Sequence, residues 1–372
     1  MSFDAIVVGL GAAGSAAAWQ LAKRGARVLG IDRYAPPHAH GSHCGESRIT
    51  RKAIGEGDAY VPLALRSYEI WREIESACSS SGERLLTITG GLWISSPRRK
   101  VEIHVADFFD RTVAAARRFG ITHEILDAAA IRRRFPQFNV RDDESGYFEP
   151  DAGFLRPEAC VRAQLALAAR HGAELRVDER VLGLAQEGGR VVVATDRGEH
   201  RASRAIVCAG AGVGELVPAL AARVTVSRQV QYWFEADGLE DLPVWIWELQ
   251  DRGNAIYGFP ARDGVAKVAT ESFTREIPPE EMYASLVAPN LRGVGARCVK
   301  TVRCLYTATP DFNFVIDRHP GMDRVLVASP CSGHGFKHSA AIGEALAQST
   351  LEGKSTLDLS SFEINGVRVK SG

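Results

Sequence analysis

Apolar residues near the start of the chain come in three blocks with different spacing. Residues 5–8 form a short continuous apolar run, the pattern of a buried strand. From Ala12 to about Arg24 an alanine-rich stretch has helical spacing, and residues 28–31 are a second short apolar run that ends at Asp32. This predicts strand, helix, strand. Farther on, Val61, Leu65, Tyr68, Trp71 and Ile74 share one face of a helix over 61–77, which is expected to pack the same domain. Residues 157–172 read as another helix, and 174–200 as a β-rich stretch with a Gly188-Gly189 hairpin signal. Short apolar strands at 205–208 and 325–328 each run into glycine-bearing loops, the second leading to a helix near Phe336.

The pattern changes between those pieces. "RVTVSRQVQYWFEA", "VWIWEL", "AIYGFPA" and "VAKVATES" are β-branched and aromatic runs with partial alternation. They predict an antiparallel or mixed sheet. The expected class is therefore α/β, with a discontinuous Rossmann-type nucleotide domain and a β-sheet substrate domain. The nucleotide domain takes 1–85, 148–215 and 303–372, and the substrate domain takes 86–147 and 216–302. "RRRF" at 132–135 reads as a solvated helix face.

Composition narrows the partners. Lys+Arg and Asp+Glu are 45 each, and this balance argues against nucleic acid or an anionic membrane as the main partner. Seven scattered cysteines fit a reducing compartment, so a cytoplasmic protein is expected. The uncharged run between Asp4 and Lys23 has no basic segment before it and is broken by glycines, unlike a signal or membrane segment.

The turn after the first strand reads Gly9-Leu10-Gly11-Ala12-Ala13-Gly14. Gly9 suits the tight turn, Gly11 lets backbone approach a pyrophosphate, and Gly14 lets helix pack on strand. The helix N-terminus offers free N–H groups to phosphates. Asp32 is placed to accept hydrogen bonds from a ribose. This unit alone leaves NAD and FAD open. The recurrence of glycine-bearing strand ends at the start, middle and end of the chain suits the larger flavin dinucleotide better.

Three further blocks carry a resemblance: "PPHAHGSHCGESRITRKAIGEGDAYVPLALRS", "RCLYTATPDFNFVIDRHP" and "SGHGFKHSAAIGEALAQ". With the glycine fingerprint, in this order and spacing, the chain resembles the monomeric sarcosine oxidase and N-methyltryptophan oxidase family along nearly its whole length. The resemblance implies FAD held covalently, with Cys304 matching the cysteine that forms the thioether. Attachment needs a thiolate, and Arg303 beside it is expected to favour one. The resemblance places Arg48 by the flavin ring, and Arg51 with Lys337 on a substrate carboxylate, a task that suits the planar guanidinium fork. Lys267 matches an oxygen-activating lysine, although the strand alternation also permits it to face solvent. Tyr257 and Tyr306 match pocket aromatics. Arg33, Ser42, His43, Gly333 and Gly335 are further expected cofactor contacts.

Some positions depart from the family. Cys44 and Glu46 stand where relatives often have His and Asp, and Glu271 stands where a histidine is common, which opens the question of substrate. His38, His40 and His43 in "HAHGSH" could suggest a metal, but the resemblance makes them a loop near the cofactor, and no metal is expected. The implied activity is oxidative demethylation of an N-methyl or other secondary amino acid, with molecular oxygen as acceptor and hydrogen peroxide as product, by a monomer. Rival readings are a cyclic imino acid oxidase, a dehydrogenase passing electrons to a carrier, and a flavin-binding protein without turnover. An RNA-modifying flavoprotein is disfavoured by the charge balance.

Overall fold

This computed structural model of the protein describes residues 2–78, 82–99, 104–250, 255–270 and 275–366. Its first sheet is built around the strand Phe3–Val8, which pairs in parallel with Val28–Ile31 on one side and Gly198–Val207 on the other. Glu174–Arg176 extends one edge and Met322–Ser329 joins Gly198–Val207, both in parallel. Strands from the beginning, middle and end of the chain thus share one sheet. Their apolar runs are continuous because both faces are covered, and Ile6, Val7, Leu29, Ile31, Val207, Val325 and Val327 are fully buried. The predicted hairpin joins Val181–Glu187 to Arg190–Thr195 through Gly188 and Gly189, both at positive φ.

The helices Ala12–Lys23, Pro157–Arg170 and Ser339–Glu352 cover this sheet. The first and last approach so closely that a Cβ at Gly343 would sit 2.3 Å from the Ala16 methyl. The helix Tyr60–Ala77 packs on Ser339–Glu352 and buries Val61, Tyr68, Trp71 and Ile74 in the same core.

A second sheet has the order Val294–Ala308, Thr225–Ala236, Val265–Thr270, Ala255–Gly258, Val244–Glu248, Gly91–Ser95, Ser145–Glu149, Glu124–Asp127. Every pairing is antiparallel except Val244–Glu248 with Gly91–Ser95, so the sheet is mixed. Trp245, Trp247, Tyr232 and Phe234 fill its core. A small third sheet, Arg48–Thr50, Gly153–Leu155 and Leu86–Ile88, lies beside the candidate site.

Three of the expected joins move. A break between 302 and 303 would cut the continuous strand Val294–Ala308, so Cys304 belongs to the second sheet. A break at 147–148 would cut Ser145–Glu149, and Leu86–Ile88 pairs in the small sheet rather than in the second. Arg132, Arg133 and Arg134 are exposed on the helix Ala128–Arg134. Among the described residues, no helix is long and apolar enough to cross a membrane.

Candidate active site

The two large sheets meet at a cavity of about 470 Å³. At one end its wall is the glycine turn. Gly9 adopts φ +86°, and a Cβ there would lie 2.4 Å from the Cys208 carbonyl oxygen. A Cβ at Gly14 would lie 1.7 Å from the Gly9 carbonyl oxygen, so both positions require glycine. A Cβ at Gly11 would meet only the His43 ring, at 3.5 Å, which leaves the N-terminus of Ala12–Lys23 open to the cavity. Asp32 accepts hydrogen bonds from the Leu10 and Tyr34 amides at 2.7 and 2.9 Å and faces His38 at 3.5 Å. Arg33 lines the same end.

The loop 38–47 forms the next stretch of wall. His40 stacks on Tyr34, and the His38 amide donates to His43 Nε2 at 3.2 Å. Burial, followed by the charges of His38 and Arg48, pushes the His43 imidazole down to about 4, so it is neutral at pH 7. Arg48 ties the loop by donating to the carbonyls of Ser42, Cys44 and Ser47. From the first turn of Pro157–Arg170, Glu158 accepts the amides of Gly45 and Glu46 at 2.7 and 3.1 Å. Sequence reasoning missed this acid, which acts across 113 residues.

Lys267 is buried, and its side chain faces the cavity and not solvent. Its Nζ donates to the carbonyls of Gly45 and Ser47 and to the Ser47 hydroxyl, at 2.7, 2.8 and 3.1 Å. Three acceptors match the three N–H donors of an ammonium. Burial, and then Arg48, lowers its pKa well below that of a free lysine. Tyr257 and Tyr306 complete this part of the wall.

At the far end Arg51 and Lys337 converge on one carboxylate that sequence reasoning also missed. Glu56 Oε2 accepts from Arg51 Nη2 at 2.7 Å, and Glu56 Oε1 lies 3.8 Å from Lys337 Nζ. Although burial pushes Glu56 up, Arg51, Lys337 and His334 hold it well below the usual carboxylate range. The Arg51 guanidinium lies over the rings of Trp93 and Phe108, 5.4 and 4.8 Å from their centroids. His104 Nδ1 stands 3.5 Å from Glu56 and its ring closes over Gly333. Gly335 is sterically required, since a Cβ there would lie 1.6 Å from the Pro330 carbonyl oxygen. Lys337 Nζ donates to the His334 carbonyl at 2.8 Å.

Residues 4–349 match the family of FAD dependent oxidoreductases. The chain belongs to that family. This flavin-dependent oxidoreductase is 39% identical to a monomeric sarcosine oxidase of Streptomyces avermitilis, over 97% of each chain. It is 34% identical to an N-methyl-L-tryptophan oxidase of Citrobacter koseri, over 98% of this chain and 99% of that one. Among solved structures it resembles the open form of NikD, an unusual amino acid oxidase essential for nikkomycin biosynthesis. That match has a TM-score of 0.83, 26% identity and 97% coverage of both chains.

The residues of this oxidoreductase fit FAD. The open helix N-terminus at Gly11 suits a pyrophosphate, Asp32 has lone pairs left for ribose hydroxyls, and the long cavity continues past His43, Arg48 and Tyr306 toward Lys337.

One expected neighbour of the cysteine is displaced. Arg303 precedes Cys304 on a strand, so the two side chains point to opposite faces. Arg303 is largely exposed and pairs with Glu276 at 2.9 Å, away from the thiol. Cys304 is buried with Cys44 and Tyr306, just behind the wall made by Leu305 and Tyr306, and its Sγ accepts from Gln231 Nε2 at 3.1 Å. Glu271 lies outside the described residues.

Proposed function

We propose that this flavoprotein is an oxidase of secondary amines that demethylates an N-methyl α-amino acid to the primary amino acid, with formaldehyde and hydrogen peroxide as co-products. One observation carries the reading: Arg51 and Lys337 reach into the same cavity end and share one buried counter-ion, Glu56. A substrate carboxylate that enters this end meets both cations beside their shared counter-ion. Arginine binds such a group bidentately, and the low dielectric strengthens the pairing.

Gly9, Gly11, Gly14, Asp32, Arg33, Ser42, His43, Arg48, Gly333, Gly335 and Lys337 are the residues we assign to holding FAD, with Cys304 as its covalent anchor. Bound there, FAD supplies two-electron oxidation of the substrate C–N bond and passes the electrons to oxygen. The chain's own share is orientation and electrostatics. Arg51 and Lys337 fix the carboxylate end of the substrate and so limit where its N-methyl carbon can sit. Tyr257 and Tyr306 wall the reacting end against water. Lys267, on the same part of the wall, supplies positive charge where oxygen is reduced.

The deciding experiment is peroxide release from sarcosine, N-methyltryptophan, pipecolate and proline. Turnover of N-methyl substrates above the cyclic ones supports the reading. Preference for pipecolate or proline replaces it with a cyclic imino acid oxidase, and turnover only with an artificial electron acceptor makes it a dehydrogenase. The anchor is tested separately: acid-precipitated enzyme should stay yellow, with the flavin mass on the peptide that contains Cys304.

A further inference from the structure

With Arg303 turned away, another group faces the Cys304 sulfur. Gln231 lies on Thr225–Ala236, the strand paired with the one that carries Cys304. Its carboxamide is buried, and Nε2 lies 3.1 Å from Cys304 Sγ. The amide fits against Gly45 only because that residue is glycine: at φ +105°, a Cβ there would come within 2.2 Å of Gln231 Oε1. Among the described residues, that Oε1 has no hydrogen-bond partner. The amide therefore satisfies the sulfur at the expense of its own oxygen.

Cys44 provides the comparison within the same small cluster. Its sulfur sees the carbonyl oxygens of Ala39, Gly41 and Arg303 at 4.0, 3.9 and 3.6 Å. Carbonyls accept only, so they favour the protonated thiol, and burial pushes the Cys44 thiol up as well. Cys304 has an N–H donor instead. This donor fixes the direction in which the Cys304 sulfur presents its lone pairs, a constraint that the Cys44 sulfur lacks.

We propose that Gln231 is a positioning residue for the covalent anchor: its amide N–H holds the Cys304 sulfur as the nucleophile and so selects it over Cys44. This rests on the covalent anchor proposed above. In the attachment, one C–S bond forms to the ring methyl carbon. The thiol proton and one methyl hydrogen leave, and the two electrons released reduce O₂ to hydrogen peroxide.

The test compares wild type with Gln231→Met, which keeps the shape and removes the donor, and Gln231→Glu, which replaces the donor with an acceptor. For each purified enzyme, total FAD is read from absorbance and anchored FAD from the pellet after acid precipitation. The anchored share should fall below about half of the wild-type share in the methionine variant and lower still in the glutamate variant, with total FAD retained. Equal shares in all three enzymes overturn the inference and leave the anchor standing. A parallel loss of total and anchored FAD in both variants also overturns it, because that is the signature of a purely structural role. Wild-type enzyme that releases all its flavin removes the anchor and this inference together.

Discussion

Arg51 and Glu56 form an ion pair at 2.7 Å, and each side chain is only 3% exposed. A substrate carboxylate entering this end must share or replace Glu56 as the partner of Arg51. Arg51→Ala or Lys337→Ala should therefore weaken carboxylate binding by about 2–4 kcal/mol, the range for removing one member of a desolvated charge pair. Glu56→Gln should act in the opposite direction and tighten a carboxylate inhibitor, since it removes the internal competitor. Titration of the flavin absorbance with such an inhibitor measures all three. If Glu56→Gln binds more weakly than wild type, Glu56 is not a competitor.

The loop that carries Arg51 is fastened by a second buried acid. Glu149 accepts from the Lys52 amide at 2.7 Å, from the Ala53 amide at 3.1 Å and from the Tyr147 hydroxyl at 2.9 Å. Glu149→Ala would leave three donors unsatisfied, of which the buried Ala53 amide and Tyr147 hydroxyl cost about 1–3 kcal/mol each. Thermal unfolding should show a clear loss for Glu149→Ala and a smaller one for Glu149→Gln, which keeps one acceptor. Steady-state kinetics should show KM rising with kcat little changed, because the change displaces the clamp and not the reacting end. Wild-type KM in Glu149→Ala would mean that Arg51 is positioned without Glu149, by its bonds to the Ala53 carbonyl at 3.1 Å and to Glu56 and by the rings of Trp93 and Phe108.

What could be read from the chain, and what could not, follows from distance along it. Gly9, Gly14 and Asp32 act within one strand–helix–strand unit, so their spacing exposes their task. Cys304, Arg51 and Lys337 were legible only through the resemblance, and the structure brings the last two together on Glu56. Arg303 was assigned to the thiol by adjacency, yet in a strand adjacent residues face opposite ways. Lys267 was ambiguous for a related reason: alternation gives two faces but not which one is inside. Gln231 and Glu158 were invisible because they reach Cys304 and Gly45 across 73 and 113 residues. Such pairings are set by sheet register and helix packing, which no local pattern records.

Glu248 gives the fold a specific pH dependence. It is buried on Val244–Glu248, its Oε1 has no hydrogen-bond partner among the described residues, and Arg99 Nε lies 3.8 Å away. Burial pushes its carboxyl up to about 7 from an ordinary 4.5. Between those values the folded chain holds a proton that the unfolded chain has released, so this contribution to stability falls as pH rises from 4.5 to 7. Glu248→Gln mimics the protonated acid. It should be more stable than wild type at pH 8, by up to about 3 kcal/mol, and nearly equal to it at about pH 5. Denaturant unfolding at both values measures the difference, and a gap of the same size at each would remove Glu248 as the titrating group.

Lys267 separates an oxidase from a dehydrogenase. Reduction of O₂ begins with an anion, superoxide, formed in a site with little water. A fixed cation there stabilises that anion far more than it would in bulk solvent. Lys267 is buried on the cavity wall, and the three acceptors of Gly45 and Ser47 around its Nζ favour the ammonium against the burial that lowers its pKa, so it is a preorganised donor and not a mobile surface lysine. Lys267→Met keeps the length and apolar stem of the side chain and removes the charge. Anaerobic reduction of the flavin by substrate should be largely unchanged, since that half-reaction does not produce the anion. Reoxidation by air should slow by orders of magnitude, each 1.36 kcal/mol of lost stabilisation being about tenfold. Stopped-flow absorbance resolves the two halves. The variant also leaves three acceptors without their donor, so a lower melting temperature is expected alongside and does not bear on the assignment. Wild-type reoxidation in the methionine variant would remove Lys267 from oxygen chemistry and favour an electron carrier as the acceptor.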